Sequence, residues 1–315
     1  MKYGFGIDLG GTTVKLAFFD EAGTMLSSWE IPTVTANSGA QILPDIAASV
    51  HNYLTENPIP RKDILGIGLG VPGVVLPDGT VNRCVNLGWG VFNVQTELEK
   101  LTGFPVKAGN DATIAALGEC WKGGGAGYTS LVLATLGTGV GGGIVLDGKP
   151  LYGTNGAAGE IGHMVLNRNE TEQCGCGKYG CVEQYCSATG IVRVAKQFLE
   201  NSQMPSALRA LPSLTCKDIF DAAKTEDVLA QEILEQVYGY MGEFLANVCC
   251  IIDPQVIVLG GGVSRAGQTL LDGVEKYYKK YAFHAQKNTK FALATLGNDA
   301  GVYGAFRLIQ SATEG

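Results

Sequence analysis

The stretch FGIDLGGTTVKLAFFDEAG at residues 5–23 returns in outline as VLATLGTGVGGGIVLDG at residues 132–148. Each copy reads as an apolar strand, a turn rich in glycine and threonine, a second strand and a tight glycine turn. Such a duplication predicts two similar lobes, each built on a β-meander that needs its own partner elements to bury its apolar face. The alternative is a pair of unrelated hairpins. Lys2–Asp8, Val14–Phe19 and Met25–Ile31 are the expected strands of the first meander, and Leu131–Leu136 and Ile144–Leu146 those of the second.

The rest of the chain fits around these units. Ala40–Asn57 places Ile42, Ile46, Val50 and Leu54 on one helical face and stops at Pro58 and Pro60. Ile64–Val71 reads as a buried strand, Pro105–Ala108 as a short one, and Asp111–Trp121 as a helix. Further helices are expected at Ala188–Asn201, Lys217–Lys224, Val228–Ile251, Gln268–Tyr281 and Ala300–Ile309, with a buried strand at Pro254–Leu259. Asn201–Ser213 reads as a loop. At 315 residues the chain is long for one core, and 46% hydrophobic residues suffice for two.

Charge and cysteine usage exclude several roles. A net charge of -7 without a basic tract argues against a broad nucleic-acid face. No apolar run has membrane-spanning length, and the N-terminus lacks the layout of a signal peptide. Nine cysteines, an odd number, fit a reducing compartment, so a cytoplasmic protein is expected.

The chemistry concentrates in CGCGKYGC at 174–181. Three thiols at C-x-C-x4-C spacing, set among glycines, can converge on one ion, and zinc takes four Cys or His ligands in a tetrahedron. With His163 eleven residues upstream, Cys174, Cys176 and Cys181 complete a Cys3His set. Buried or disulfide-bonded cysteines are the bland alternative. Glu160 and Glu183 flank this loop as candidates for a polar substrate.

Three glycine-rich turns follow apolar strands: Gly10-Gly11-Thr12-Thr13, Gly137-Thr138-Gly139 and Gly260-Gly261-Gly262. Glycine lets backbone N–H groups approach an anion, and threonine adds hydroxyl donors, so the three together suggest a nucleotide cradle. Neither the P-loop pattern nor the dinucleotide fingerprint is present. Asp8, replaced by Thr135 in the second copy, suits Mg²⁺ held through water, or else a turn cap. Asn110-Asp111 sits where a strand gives way to a helix. Both are good N-caps, but a carboxylate is also needed to take a hydroxyl proton in phosphoryl transfer, and Asp111 is the most suitable candidate.

DLGGTT, GND at 109–111, LGTGVGGGI, GAAGEIGH at 156–163, CGCGKYGC and LGGGVS together resemble the ROK family of bacterial sugar kinases and repressors, over essentially the whole chain. The following SATGI brings the likeness nearest to the Gram-positive-type glucokinases of that family. The resemblance implies an actin-like, hexokinase-type (ribonuclease H-like) two-lobed α/β fold, with ATP and sugar in the cleft between lobes. It implies Asp111 as the base and Asn110, Glu160, His163 and Glu183 as sugar ligands. One nitrogen of His163 would sit on zinc and the other toward a sugar hydroxyl. Residues 1–112, with the final helix 299–315 packed back, are expected as the smaller lobe, and 113–298 as the larger zinc-bearing one.

The expected activity is glucose 6-phosphorylation with ATP and Mg²⁺, by a dimer or tetramer. Alternatives are another hexose, such as N-acetylmannosamine or fructose, and a sugar-sensing regulator without turnover. Repressors of the family carry a DNA-binding segment ahead of the kinase part, and a first strand at residue 2 leaves no room for one. An actin-like assembly protein would not need the zinc loop. Because the nucleotide turns lie on other loops, metal loss is expected to act mainly on the sugar.

Overall fold

The computed structural model describes residues 1–313; Glu314 and Gly315, the last two residues of the expected terminal helix, lie outside them. Its strands are β1 (Tyr3–Leu9), β2 (Thr13–Asp20), β3 (Met25–Pro32), β4 (Ile64–Val71), β5 (Thr80–Cys84), β6 (Trp89–Asn93), β7 (Val106–Asn110), β8 (Leu131–Leu136), β9 (Val140–Leu146), β10 (Lys149–Pro150), β11 (Val256–Gly260) and β12 (Lys290–Leu293).

Two five-stranded sheets repeat one plan, β3-β2-β1-β4-β7 and β10-β9-β8-β11-β12. In the first, β2 runs antiparallel to β1 and β3, while β4 runs parallel to β1 and β7. In the second, β10 is antiparallel to β9, and β11 is parallel to β8 and β12. Tight turns force the antiparallel pairs, whereas parallel neighbours need crossovers, usually helical. The helix Ile42–Glu56 crosses from the first meander to β4, and Gln268–Tyr281 crosses from β11 to β12. The expected duplication is thus present in strand order and direction.

The chain divides into two compact units. One comprises Met1–Ser130, Gly143–Gly159 and the segment from Thr295 on; the other comprises Leu131–Gly142 and Glu160–Ala294. In the first unit, alternate residues of β2 serve opposite faces. Leu16 and Phe18 join Phe5, Ile7, Ile46, Val50, Ile67 and Leu69 in the main core. Ala17 and Phe19 turn the other way, to Val302, Phe306 and Ile309 of the last helix, Ala300–Thr313. In the second unit the long helix Val228–Ile252 buries Leu229, Ile233, Val237, Met241, Leu245 and Val248, the face its spacing predicts.

Glycines seat the last helix. A Cβ on Gly6 would run into the Val302 carbonyl, one on Gly68 into that of Ala305, and one on Gly118 into that of Ala300. Backbone cannot swing aside as a side chain can. Gly68→Val should therefore destabilise the protein by at least the ~1–3 kcal/mol typical of overpacking, read as a lower urea midpoint.

Several features depart from the sequence reading. β9 begins at Val140, not Ile144, so Gly141–Gly143 belong to the ladder rather than the turn. At Gly143 the reason is close approach, since a Cβ there would meet the Ala112 carbonyl and Ala116. The β5–β6 hairpin, β12 and the helix Val94–Thr102 were not expected. Within the expected loop after Asn201, Ala207–Ala210 forms one 3-10 turn.

Candidate functional site

In the second unit, the loop after His163 folds on itself through bridges between Val165 and Cys181 and between Gln173 and Tyr179. The Gly177 N–H donates to the Cys174 carbonyl at 2.8 Å, closing a turn that brings Cys174 and Cys176 to one side. Gly180 has φ +70°, and a Cβ there would run into the Asn167 carbonyl. Under these constraints the ligand atoms of His163, Cys174, Cys176 and Cys181 all lie within 4.8 Å of one another.

One edge of this cluster has the length a tetrahedral ion would set, and the others are close to it. Cys176 Sγ and Cys181 Sγ are 3.7 Å apart, and Cys174 Sγ is 4.0 Å from His163 Nδ1. Bonds of about 2.3 Å to zinc place two sulfurs about 3.8 Å apart. Cys176 is exposed; slight desolvation opposes its ionisation, but hydrogen bonds from the Lys178 N–H and the other two thiols outweigh it and lower its pKa. Burial, with hydrogen bonds to Cys176 and Cys174, pushes Cys181 up. Three thiols so close cannot all ionise cheaply without a cation, so the donor set fits zinc.

With Nδ1 turned to the thiols, His163 Nε2 lies 4.0 Å from Glu160 Oε2. Glu160 is exposed and His163 half-buried, so both are open to a solute. Glu183 is placed differently. Its Oε2 accepts the Val140 N–H at 2.9 Å, and its Oε1 lies 3.9 Å from Cys174 Sγ. A Cβ on Gly139 would run into this carboxylate. The Gly137-Thr138-Gly139 turn is also held from behind: the Gly137 carbonyl accepts the Ala188 N–H, and the Thr138 carbonyl accepts the Thr189 hydroxyl, each at 2.8 Å. Of the third glycine run, Gly260 is the buried end of β11. Gly261 has φ +80° against the Leu136 backbone, and Gly262 faces open space.

In the first unit, the turn between β1 and β2 closes with the Gly10 N–H donating to the Thr13 carbonyl at 3.0 Å. The Gly10 carbonyl accepts the Thr33 hydroxyl at 2.7 Å, and Gly11 and Thr12 remain exposed. Asn110 caps the helix Asp111–Lys122 through the Thr113 N–H at 3.1 Å and donates to the Gly73 carbonyl at 2.9 Å. Asp111 Oδ1 accepts the Ala112 N–H at 2.7 Å. Burial and the charge of Asp111 push Asp8 up to about 6, against the pull of Lys15. The site residues named from sequence therefore fall into two sets. Asp8, Gly10–Thr13, Asn110 and Asp111 lie in the first unit, and the thiols, His163, Glu160, Glu183 and the other glycine turns in the second.

Some contributors escaped the sequence reading. Lys15, opposite Asp8 in the β1–β2 register, pairs with Asp299. The hairpin register could have shown the first contact, but nothing local announces the second. Arg193 pins the outer part of the cysteine-bearing loop, with Nη2 2.6 Å from Glu170 and Nε 2.8 Å from Glu172. Glu119, 1% exposed, accepts the N–H groups of Gly124, Thr295 and Leu296 at 2.8–3.1 Å, anchoring the segment that leads to Asp299.

The raised Asp8 predicts a pH effect. The folded pKa of about 6 exceeds the ordinary 3.8, so protonated Asp8 favours the fold below about pH 4. That advantage is lost as the pH rises through about 6. At about 1.4 kcal/mol per unit, Asp8→Asn should stabilise the fold by on the order of 2–3 kcal/mol at pH 7.5 and little below pH 4. Urea unfolding at both pH values, without divalent cations, measures this.

The sequence model of the ROK family matches residues 4–312. The chain is 44% identical to the glucokinase of Halalkalibacterium halodurans, over 97% of this chain and 94% of that protein. It is 32% identical to an N-acetylgalactosamine kinase of a Shewanella species, over 96% and 94% of the two chains. Among solved structures, the ROK family glucokinase of Streptomyces griseus in complex with glucose and AMPPNP is 31% identical, with a TM-score of 0.74 over 97% of this chain and 98% of that one. The duplicated sheets are those of the actin-like, hexokinase-type fold. With the family match extending over nearly its whole length, this chain belongs to the ROK family.

Proposed function

We propose that this protein transfers the γ-phosphoryl group of ATP to the 6-hydroxyl of glucose, with Mg²⁺. The identity of 44% to a glucokinase over nearly the whole of both chains carries this reading. Asp111, fixed at the first residue of its helix, takes the hydroxyl proton as the sugar oxygen attacks. Asn110, Glu160, His163 and Glu183 bind sugar hydroxyls, the imidazole through Nε2. Asp8 would hold Mg²⁺ through water, and Gly10–Thr13, Gly137–Gly139 and Gly260–Gly262 would receive the nucleotide.

Zinc on His163 Nδ1, Cys174, Cys176 and Cys181 would have four protein ligands and no open position, and supplies structure rather than chemistry. With Nδ1 on the ion, His163 would be held in one tautomer and keep Nε2–H as a donor. Nine free cysteines support a cytoplasmic location, and family resemblance supports a homo-oligomer.

Coupled ADP assays on glucose, N-acetylgalactosamine, N-acetylmannosamine and fructose test the proposal. The highest kcat/KM is expected for glucose. A higher value for another hexose would change the substrate, and sugar binding without ADP formation would make the protein a sensor.

A further inference from the structure

We propose that Glu183 is a positioning residue that couples metal occupancy of the Cys/His cluster to nucleotide affinity at the Gly137–Gly139 turn. The inference rests on the kinase reading and on zinc as the metal, and it assigns Glu183 a task beyond sugar binding. Cys181, a metal ligand, is fully buried two residues before it. Between them, the Val182 N–H donates at 2.9 Å to the carbonyl of Met164, next to the ligand His163. The chain just before Glu183 is thus anchored to ligand-bearing backbone.

From that anchor, Glu183 Oε2 grips the Val140 N–H just beyond the turn. Gly139 has no Cβ where this carboxylate lies. Residues 188 and 189, in the same short stretch, hold the carbonyls of Gly137 and Thr138. Any loosening of the thiol cluster therefore reaches the turn through a charge-assisted hydrogen bond, the stronger kind. Thermodynamic linkage makes the effect reciprocal: if zinc favours nucleotide, nucleotide favours zinc.

Calorimetry with AMPPNP on the wild type, Cys176→Ser, Glu183→Ala and the double variant tests the coupling. Each single variant should bind roughly five- to tenfold more weakly, at the low end of measured couplings. The double variant should be no weaker than Glu183→Ala alone. Glu183→Gln, which keeps an acceptor for the Val140 N–H, should recover most of the affinity. A measurement that needs no variant is zinc release from the wild type to a chelator, which saturating AMPPNP should slow. Equal AMPPNP affinity with and without zinc, or losses that simply add in the double variant, would overturn the coupling alone. A wild type that binds no AMPPNP or holds no zinc would overturn the kinase or zinc reading, and this inference with it.

Discussion

Asp111→Asn should lower kcat by ~10²–10⁴-fold, the usual contribution of a general base, and leave glucose affinity nearly unchanged. Asparagine keeps the size and the Oδ1 acceptor that meets the Ala112 N–H, so the helix start survives. What it loses is the ability to take the proton of the attacking hydroxyl. The substitution also removes the charge that helps push Asp8 up, so Asp8 should ionise at lower pH and the fold should not suffer. Steady-state kinetics, with glucose binding measured separately, distinguishes the roles. A variant that keeps more than about a tenth of kcat, less than the smallest general-base effect, would reduce Asp111 to an acid in the first turn of its helix.

The second large effect is expected at the metal. Elemental analysis of the wild type should find about one zinc per chain, as one closed four-ligand site requires. Cys176→Ser should lose it. KM for glucose should then rise on the order of 10–100-fold, the range seen when groups that orient metal ligands are removed. The imidazole that presents Nε2 beside Glu160 would no longer be fixed through Nδ1. The change for ATP should be smaller, because it passes through the single Glu183 hydrogen bond to Val140. A metal-free variant with unchanged glucose KM would remove zinc from the sugar site.

The two meanders could be read from sequence because each rests on local signals: apolar strands, glycine turns and short hairpins. The Cys/His cluster was legible for the same reason, since Cys174, Cys176 and Cys181 are neighbours in the chain. Val94–Thr102 escaped because it is short and polar, and its cap, the Asn93 side chain on the Thr96 N–H, comes from the last residue of an unrecognised strand. The glycines at 141–143 looked like turn residues, but a constraint from a distant helix set the identity of Gly143. Long-range contacts in the site were equally hidden. Lys15 meets Asp299 across 284 residues, and Glu183 meets Val140 across 43. Spacing says nothing about such pairs.

The seat of the last helix also sets a timetable. Ala300–Thr313 closes the face of the first sheet formed by Gly6, Gly68 and Phe19, yet it leaves the ribosome only after the whole second unit has been made. Domains usually fold in the order of synthesis. Here the N-terminal unit, begun first, must wait with one face uncovered while the later unit can close, so the order of completion reverses the order of translation. A chain released before Thr295 would lack the helix that finishes its own beginning.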